Sequence, residues 1–448
     1  MRRCCSISLA ISLLYAVALG ESRPHYGGTL RVAVKEAPAS IDPGGTAGAS
    51  FLASFVFETL VRLDDRGMPQ PHLATSWQAE SGDQRWRIFL RSGVTFSDAA
   101  RLDAATVAAS LRAANADWKV MAAGDAVIIE TASPRPALPA ELALMSNAVA
   151  RHENAKAIGT GPFLISQFDP GKHLSLKAND QYWNGRPFLD AVEIELGKNY
   201  REQSALFDLG KTDVIEIAPE NIHRAEAAGR TVLSSRPFAL MALAFAEPPK
   251  SADESHARNA LAMSIDRTAI NHVVVQDGGE PTGALLPNWL SGYGFVFPAG
   301  KNSEAARREK LLARRVTPWT LRYDAGDPVS RVIAERIQLN VRDVGLTIQL
   351  AISGASDLNL LEISPLSADA RVQLRELASA LGLPAPKLAG SSAADLYAAE
   401  KALLETQQVI PLLHLKSAVS VRANVHRWNS SASGEWRVED VWLSAEKP

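Results

Sequence analysis

The sequence predicts an α/β protein, because strand-like and helical patterns alternate along its length. The clearest unit lies at 319–350, where a strand-like stretch, an amphipathic helix and a second strand-like stretch follow at short spacing. Connections this short imply a parallel strand pair joined by a right-handed crossover. With 448 residues, 46% of them hydrophobic, the chain is long enough for two or three domains with substantial cores.

Patterns in the first quarter of the chain predict alternating strands and helices. Residues 29–34 alternate apolar with polar or small residues after two glycines, which is typical of a strand, and a loop rich in proline and glycine follows at 37–48. Apolar residues at helical spacing predict a helix over 51–63. A strand over 86–91 and an alanine-rich helix over 106–114 come next.

The helix within 319–350 has recognisable ends. Asp327 precedes Pro328, which predicts an N-cap followed by a proline in the first turn, where its missing N–H group costs nothing. Gly345 stands where a helix C-cap belongs. Between these ends, one apolar stripe consists of Ile333, Ile337, Val341 and Val344.

Further helices are predicted over 255–275 and 393–408, and the second leads directly into an apolar strand over 409–415. His414 lies on that strand and is expected to be a structural histidine rather than a nickel ligand. The charged stretch 301–315 interleaves acidic with basic residues, which indicates a solvated helix face. One face of the first helix is formed by Leu261, Ile265, Ala269 and Val273.

The N-terminus has the pattern of a secretory signal peptide over residues 1–20. Two arginines precede the apolar run 7–14, and small residues lead to an expected cleavage after Gly20; an uncleaved anchor is the alternative. Both cysteines, Cys4 and Cys5, precede the apolar run, so a mature chain would have no disulfide, thiolate metal site or cysteine nucleophile. Export without cysteine indicates a bacterial periplasmic protein.

Charge and motifs exclude several functions. With 47 basic and 49 acidic residues, the chain lacks the basic excess of nucleic-acid-binding proteins. Neither a metalloprotease HExxH nor a hydrolase GxSxG pattern occurs, and Gly210-Lys211-Thr212 lacks the earlier glycine of a phosphate loop, because Ala205 stands there. We therefore predict no catalytic residue, no metal ligand and no cofactor.

Several motifs nevertheless form an ordered set. Gly27–Val32 with Ile41-Asp42-Pro43 makes an opening strand and loop, followed by Phe57–Val61 and Pro71–Trp77. A hairpin-like stretch, 86–98, comes next, with Ala99 at a position where glycine is usual.

A second group of motifs continues the order. Gly159-Thr160-Gly161-Pro162-Phe163 is followed by 176–187, which includes Tyr182-Trp183, and by a turn over 207–213. The glycines of the first motif permit positive φ, and Pro162, directly after the second glycine, has its own φ fixed by its ring. The last motif is 258–270, with the letters RNALAMSIDRTAI. Together the motifs resemble solute-binding protein family 5, the periplasmic binding proteins of ABC importers for peptides and nickel complexes.

The resemblance implies a two-lobed periplasmic binding protein of the large peptide-binding type, with three domains and a ligand cleft between the lobes. Such proteins close over a solute by hinge motion, deliver it to a membrane permease and catalyse no reaction. The implied division is signal peptide 1–20, domain I at 21–61, inserted domain II at 62–158, domain I again at 159–246, domain III at 247–426 and a C-terminal return to domain I at 427–448.

One region departs from the family. Residues 351–393 are shorter than usual and contain no tryptophan. In peptide binders of the family an aspartate in this region pairs with the ligand's α-ammonium group; here Asp357, Glu362 or Asp369 could substitute. Trp183, in a matched motif, is expected in the core. The candidate ligand-binding residues lie in cleft loops and at strand ends: Thr46, Ser50, Phe51, Trp289, Tyr293, Tyr323 and Ser364.

The predicted function is that of a monomeric, periplasmic substrate-binding component of an ABC importer, which captures a peptide or peptide-like solute and docks on the inner-membrane permease. The alternative within the class is a nickel chelate, an oligosaccharide or an opine-type solute. A degenerate, non-transporting family member and a secreted hydrolase remain as further alternatives.

Overall fold

The computed structural model describes residues 23–44, 51–154, 156–292, 294, 296–314, 318–388, 390, 392–431 and 435–444. The chain forms an α/β protein with two lobes, built on a seven-stranded and a six-stranded mixed sheet. The predicted signal peptide lies outside the described residues. Among those residues, no helix combines the length and apolar content needed to cross a bilayer.

The seven-stranded sheet forms the centre of the first lobe. Its strand Thr29–Ala33, predicted from the alternation at 29–34, runs parallel to both of its neighbours. The helices Tyr200–Asp208 and Ile222–Ala227, with the short 3-10 helix Pro219–Asn221, contribute Phe207, Ile222 and Ala225 to a core against this sheet. In spatial order the strands are Phe163–Asp169, His173–Ala178, Ala191–Glu195, Thr29–Ala33, Val214–Ile217, Ala418–Val421 and Thr231–Ser234.

A four-stranded antiparallel sheet lies on the same side of the cleft and has its own core. The helix Ala104–Ala114 packs on it through Val107 and Leu111. The short helices Leu138–Glu141 and Met145–Asn147 follow it. Its strands, in spatial order, are Ala74–Glu80, Arg85–Leu90, Ala126–Glu130 and Lys119–Ala123. Two two-stranded ribbons are formed by Val61–Leu63 with Pro69–Pro71 and by Arg151–Glu153 with Lys156–Ile158.

The six-stranded sheet carries the second lobe. Its strands, in spatial order, are Gly279–Pro281, Val409–Leu415, Ala239–Phe245, Leu358–Ile363, Trp319–Arg322 and Ile348–Ala351. Its helices are Ala252–Ser264, Arg267–Ala269, the π-helical turn Ile270–Val274, Asn288–Ser291, Ser303–Leu312, Pro328–Arg342, Ala370–Ala380 and Ala393–Glu405. The C-terminal strands Val425–His426, Asn429–Ser430, Trp436–Arg437 and Trp442–Leu443 pair with one another.

The strand–helix–strand prediction at 319–350 is confirmed. Trp319–Arg322 pairs in parallel with Ile348–Ala351, and the helix Pro328–Arg342 joins them. The Asp327 side chain accepts a hydrogen bond from Val329 N at 3.0 Å, and Gly345 has the left-handed φ of +84° that favours glycine after a helix. All four residues of the predicted stripe are buried.

Two adjacent segments carry the chain between the lobes. One leads from Thr231–Ser234 into Ala239–Phe245, and the other from Val409–Leu415 into Ala418–Val421. They are hydrogen-bonded to each other, because Ser235 N donates to Ser417 O at 2.8 Å and Phe238 N donates to Leu415 O at 2.8 Å. The domain boundaries given above stay a prediction, since sheet membership alone does not divide a chain into domains.

The helix predicted over 51–63 is wrong. A 3-10 helix ends at Phe55, and the chain then straightens into the strand Val61–Leu63. The carbonyls of Val56 and Glu58 accept hydrogen bonds from Gly161 N and Val149 N, at 2.9 and 2.8 Å, so distant segments take the acceptors that a helix would need. The helical spacing of apolar residues arose because this segment is buried on several sides.

The helix predicted over 255–275 is also wrong in its extent. It ends at Ser264, and Asp266 begins a new turn by accepting a hydrogen bond from Ala269 N at 2.9 Å. Asp266 N in turn donates to the Asn340 side chain at 2.9 Å, which fixes the break. Beyond this break the predicted apolar face is wrong, because Val273, its last residue, is 58% exposed.

The positive φ predicted for the glycines of 159–163 is wrong, because neither Gly159 nor Gly161 has a positive φ. These glycines are instead needed for a close backbone contact. A Cβ on Gly159 would lie 1.9 Å from Val56 O, and one on Gly161 would lie 2.7 Å from the same atom. Only a residue without a side chain permits this approach between backbones.

We predict that Gly159→Ala destabilises the fold by about 3 kcal/mol, because one backbone segment must move to admit the methyl group. Urea unfolding followed by circular dichroism measures the effect. Gly300→Ala is the matched control, since it also lacks a positive φ and a Cβ there meets nothing within 4 Å. Equal midpoints for the two variants would contradict the close-approach explanation.

A buried carboxylate, Glu58, joins the segments of the first lobe. Its two oxygens accept hydrogen bonds from Tyr182 Oη at 2.7 Å, Thr160 Oγ1 at 2.7 Å and Trp183 Nε1 at 2.9 Å. His72 Nε2 lies 2.9 Å from Glu58 Oε1, and His72 Nδ1 lies 2.9 Å from Thr59 O. The carboxylate is therefore surrounded by polar groups from three separate stretches of the chain.

These contacts determine how Glu58 titrates. Burial raises the pKa of Glu58, but the contacts from His72, Tyr182 and Trp183 outweigh burial and hold the pKa below its ordinary value of 4.5. A carboxyl with a lowered folded-state pKa contributes stability above its unfolded pKa. That contribution is lost as the pH falls through the folded-state value.

We predict that Glu58→Gln lowers the free energy of unfolding at pH 7 by about 3 kcal/mol, because it leaves the partner groups buried without their charge. The difference from wild type shrinks as the pH falls below about 4.5, where the wild-type carboxyl also becomes neutral. Urea unfolding over this pH range measures both effects. Glu304→Gln, at a carboxylate 77% exposed, is the control and changes little.

Candidate functional site

A cavity of about 950 Å³ separates the two lobes. Its walls include Glu216 and Ile217, at the end of a strand of the seven-stranded sheet, and Leu360–Glu362, on a strand of the six-stranded sheet. Ser235 and Ser417, on the two segments that cross between the lobes, also line it. This volume falls in the range of small-molecule sites. We call it the interlobe cavity.

The walls of the interlobe cavity carry more acid than base. Eight carboxylates and three cations belong to its described lining residues, and both lobes contribute carboxylates. An excess of one sign in a partly enclosed space favours solute groups of the opposite sign. The carboxylates are Glu36, Asp64, Glu216, Asp324, Asp327, Glu362, Glu376 and Glu435, and the cations are Lys35, Arg62 and Lys416.

At one place, acidic groups of the two lobes face each other. Glu362, on the second lobe, lines the cavity and is exposed to it. Burial raises the pKa of Glu362; Lys35 acts against this, and the charges of Asp327, Glu220 and Glu216 add to it. The carboxylates of the two lobes therefore repel one another here, and the Lys35 ammonium offsets part of that repulsion.

On the first lobe, hydrogen bonds fix the position of Glu216, which faces Glu362. Glu216 accepts hydrogen bonds from Lys35 N at 2.5 Å and from the Gln203 side chain at 2.9 Å. Burial raises the pKa of Glu216, although these bonds oppose the shift. The Lys35 ammonium lies 5.5 Å from the centre of the Tyr200 ring, and burial raises the pKa of that phenol well above its ordinary value. Tyr200 therefore stays neutral, and it lines the cavity beside Lys35.

Another part of the wall is more apolar. Phe51 contacts Trp436 edge to face, with 4.9 Å between ring centres, and Leu144 and Met145 lie in the same wall. Arg62 pairs with Glu439 at 3.1 Å, so its charge is largely balanced. The cavity thus combines apolar and aromatic surface with a few fixed polar groups, as ligand sites do.

The structure brings only some of the predicted ligand residues to this cavity. Phe51 and Ser364 line it. Trp289 instead contacts one of the crossing segments, since its Nε1 donates to Pro237 O at 2.9 Å and its ring contacts Phe238. Tyr323 packs against the core of the second lobe. Thr46, Ser50 and Tyr293 lie outside the described residues, and a role in ligand binding stays a prediction for all seven.

Of the three acidic residues proposed for the ammonium partner, only Glu362 is a wall residue. Asp357 accepts a hydrogen bond from Thr320 N at 2.7 Å, and Asp369 caps the helix Ala370–Ala380. His414 is 2% exposed with Nε2 3.0 Å from Leu285 O, and burial lowers its pKa to about 4. It therefore has the buried, hydrogen-bonded position expected of a structural histidine.

Sequence reasoning missed Lys35, Tyr200 and Glu216. Lys35 lies two residues after the end of the first strand, and Glu216 lies in the strand beside it. A search of residues at the ends of neighbouring strands would have found both. Tyr200 is the first residue of a helix, and no pattern in the neighbouring sequence indicates a role in ligand binding. Among the described residues, no group of three or more His, Cys, Asp or Glu side chains is arranged to hold a metal ion.

The sequence profile described as "Bacterial extracellular solute-binding proteins, family 5 Middle" matches residues 68–360, more than half of the chain. The chain belongs to this family. A relative, the probable ABC transporter periplasmic-binding protein SapA of Escherichia coli, is 25% identical over 201 residues, which cover 43% of this chain and 36% of SapA. The matches to the first curated relatives span about 28% to 40% of those proteins' length.

Solved structures of the family have the same fold. DppA of Helicobacter pylori, in complex with the peptide STSA, has a TM-score of 0.81 at 17% identity and matches 94% of this chain and 99% of its own. NikA of Brucella suis, in complex with Fe(III)-EDTA, has a TM-score of 0.78 at 19% identity. The match covers 93% of this chain and 100% of the NikA chain. The predicted family and the two-lobed binding-protein fold are confirmed.

We predict that Glu362→Gln raises the melting temperature at pH 8 and leaves it unchanged at pH 4. A carboxyl whose folded-state pKa is raised keeps its full contribution to stability below the unfolded value of 4.5 and loses it as the pH rises through the folded-state value. Differential scanning fluorimetry at both pH values measures this. Glu335→Gln, in a surface ion pair with Arg331, is the control. A lower melting temperature for Glu362→Gln at pH 8 would instead indicate a net attractive pairing with Lys35.

Proposed function

We propose that this protein is the periplasmic substrate-binding component of an ABC importer and captures a peptide or peptide-like solute in the interlobe cavity. The observation that carries the proposal is a cavity of about 950 Å³ whose walls come from both lobes and carry an excess of carboxylates. Membership of the solute-binding family gives this cavity its role. The protein acts as a monomer, needs no cofactor or catalytic step, and delivers the solute to the permease of the inner membrane.

The charge of the cavity supports a solute that presents an ammonium group. Glu362 takes the place of the acidic residue expected from the family, with Glu216 facing it from the other lobe and the Tyr200 ring beside it. A cation bound there neutralises carboxylates of both lobes and so favours closure. The related DppA was solved in complex with a peptide, and SapA is named as a probable ABC transporter periplasmic-binding protein.

The alternative within the class is a nickel chelate, since the fold is shared with nickel-binding relatives, among them the Escherichia coli nickel-binding periplasmic protein, 21% identical over 358 residues. An oligosaccharide or opine-type solute is a further possibility in the same cavity. The excess of carboxylates gives no advantage to a neutral sugar and disfavours an anionic opine.

A thermal-shift screen paired with native mass spectrometry of protein from its own host tests the proposal. Tripeptides with a free amino terminus should raise the melting temperature by several degrees, because a ligand at about 100 times its Kd adds roughly 2.7 kcal/mol of stability. The same peptides with an acetylated amino terminus should not. Glu362→Gln should weaken the shift, and Glu335→Gln should leave it intact.

Other results would redirect or overturn the proposal. A shift with nickel chelates but not with peptides would establish the alternative solute. If peptides, chelates, sugars and opines leave the melting temperature unchanged and no bound molecule is detected, the chain is a non-transporting member of the family. Turnover of a bound compound would point to a hydrolase.

A further inference from the structure

One end of the second lobe carries exposed leucines among basic residues. The helix Ser303–Leu312 packs against the helix Ala252–Ser264 and contributes the fully buried Ala306 to the core. Its last two residues, Leu311 and Leu312, are 79% and 53% exposed. A solvated helix face, as predicted here from the sequence, accounts for the charged residues but not for two adjacent leucines in water.

The helix Pro328–Arg342 ends beside these leucines. Arg307 Nη2 lies 3.5 Å from the carbonyl oxygen of Asp343, which directly follows that helix. Lys310 Cγ lies 3.9 Å from the place that a Cβ on Gly345 would take. The last turns of the two helices therefore adjoin each other at one end of the lobe.

The exposed side of the second helix repeats the combination of leucine with basic residues. Arg336, Leu339 and Arg342 follow one another at three-residue spacing, so they share one side of the helix, and all three are exposed. In the part of the chain that the structure describes, neither arginine pairs with a carboxylate. Their charges are therefore available to an anionic partner.

These two stretches carry a local excess of positive charge. Residues 301–314 and 336–345 contain seven basic and three acidic residues, whereas the whole chain has a formal charge of −2. Two of the acids are engaged, since Glu304 pairs with Arg308 and Glu309 lies 2.8 Å from the Nδ1 of a histidine on the neighbouring helix. The basic residues are Lys301, Arg307, Arg308, Lys310, Arg314, Arg336 and Arg342.

We propose that Leu311, Leu312 and Leu339, together with these seven basic residues, form a distal basic patch that docks reversibly on an anionic lipid bilayer. Basic side chains are attracted to anionic headgroups, and the leucines enter the boundary between headgroups and acyl chains. A lipid surface fits better than a folded protein, because a stable protein interface buries about 800 Å² on each partner and these are two helix ends. The proposal rests on the proposed function in that a periplasmic location makes the inner membrane the bilayer within reach.

The distal basic patch lies far from the interlobe cavity. Asp327 and Ser330, at the beginning of the helix Pro328–Arg342, line the cavity, and this helix of 15 residues is about 22 Å long. Docking through the opposite end of the helix therefore leaves the cavity and the crossing segments free to work. It also raises the local concentration of the protein at the membrane that holds the permease.

Vesicle sedimentation tests the docking. Protein exported by its own host is mixed with vesicles of equimolar phosphatidylglycerol and phosphatidylcholine, and with vesicles of phosphatidylcholine alone. We expect binding to the anionic vesicles that weakens as the salt concentration rises, and no binding to the neutral ones. Arg336→Gln with Arg342→Gln should weaken binding about tenfold, because each basic residue near the surface contributes to the attraction. Arg201→Gln with Arg224→Gln, at two exposed helix arginines of the first lobe, is the matched control and should leave binding unchanged.

A site-specific probe tests whether the leucines enter the bilayer. The chain carrying Cys4→Ser and Cys5→Ser has no other cysteine, so Leu311→Cys places a single environment-sensitive fluorophore in the patch. Ser133→Cys, at an exposed position of the first lobe, is the control. Anionic vesicles should shift the emission to shorter wavelength at position 311 and leave it unchanged at position 133.

Several results would overturn the proposal. These are equal binding to both kinds of vesicle, an unchanged emission at position 311, and undiminished binding of the variant with Arg336→Gln and Arg342→Gln. Binding to inner-membrane vesicles that contain the permease, without binding to phosphatidylglycerol, would overturn it in favour of an acidic protein partner. The same variant should keep the solute-induced rise in melting temperature, so lipid docking and the receptor function fail independently.

Discussion

The first lobe depends on one buried ionic cluster. Glu58 is almost inaccessible to water and collects hydrogen bonds or charge from residues at 72, 160, 182 and 183, which belong to three distant stretches of the chain. A buried carboxylate is costly unless all of its lone pairs are satisfied, so each of those stretches must arrive in one position. The close backbone approach of Gly159 and Gly161 to Val56 lies beside this cluster and has the same effect on position. Such a cluster fixes the relative positions of these stretches more than it adds to the net stability of the fold.

This cluster also explains why the sequence motifs of the first lobe are informative. The motif residues Glu58, His72, Thr160, Tyr182 and Trp183 are separated along the chain but meet at one point. Trp183, expected to be a core residue, donates to this carboxylate and stacks beneath Arg91, 4.6 Å from the centre of its ring. The motifs therefore identify the fold of the first lobe and carry little information about the solute.

Local rules predicted the elements whose ends and faces are encoded by neighbouring residues. The helix beginning at Pro328 is such a case, because its cap, its stripe and its terminal glycine lie within one short stretch. The failures at 51–63 and 255–275 have a common cause: a partner distant in sequence, Gly161 or Asn340, binds a backbone group that local periodicity assigns to a helix. Ala99 is a related case, since it holds the left-handed φ of +68° at the position where the family usually has glycine, and only the fold shows that conformation. The cavity wall was harder to predict, because Glu216 and Glu362 lie 146 residues apart and meet only when the two sheets face each other.

The pair of crossing segments restricts how the lobes move. Because Ser235 and Phe238 bond directly to Ser417 and Leu415, the two crossings behave as one narrow ribbon rather than as independent tethers. Bonded in this way, the two crossings join the lobes at one place. Ser235 and Ser417 line the cavity, so a solute that touches them lies beside this joint, where a small rotation produces a large displacement at the far rim.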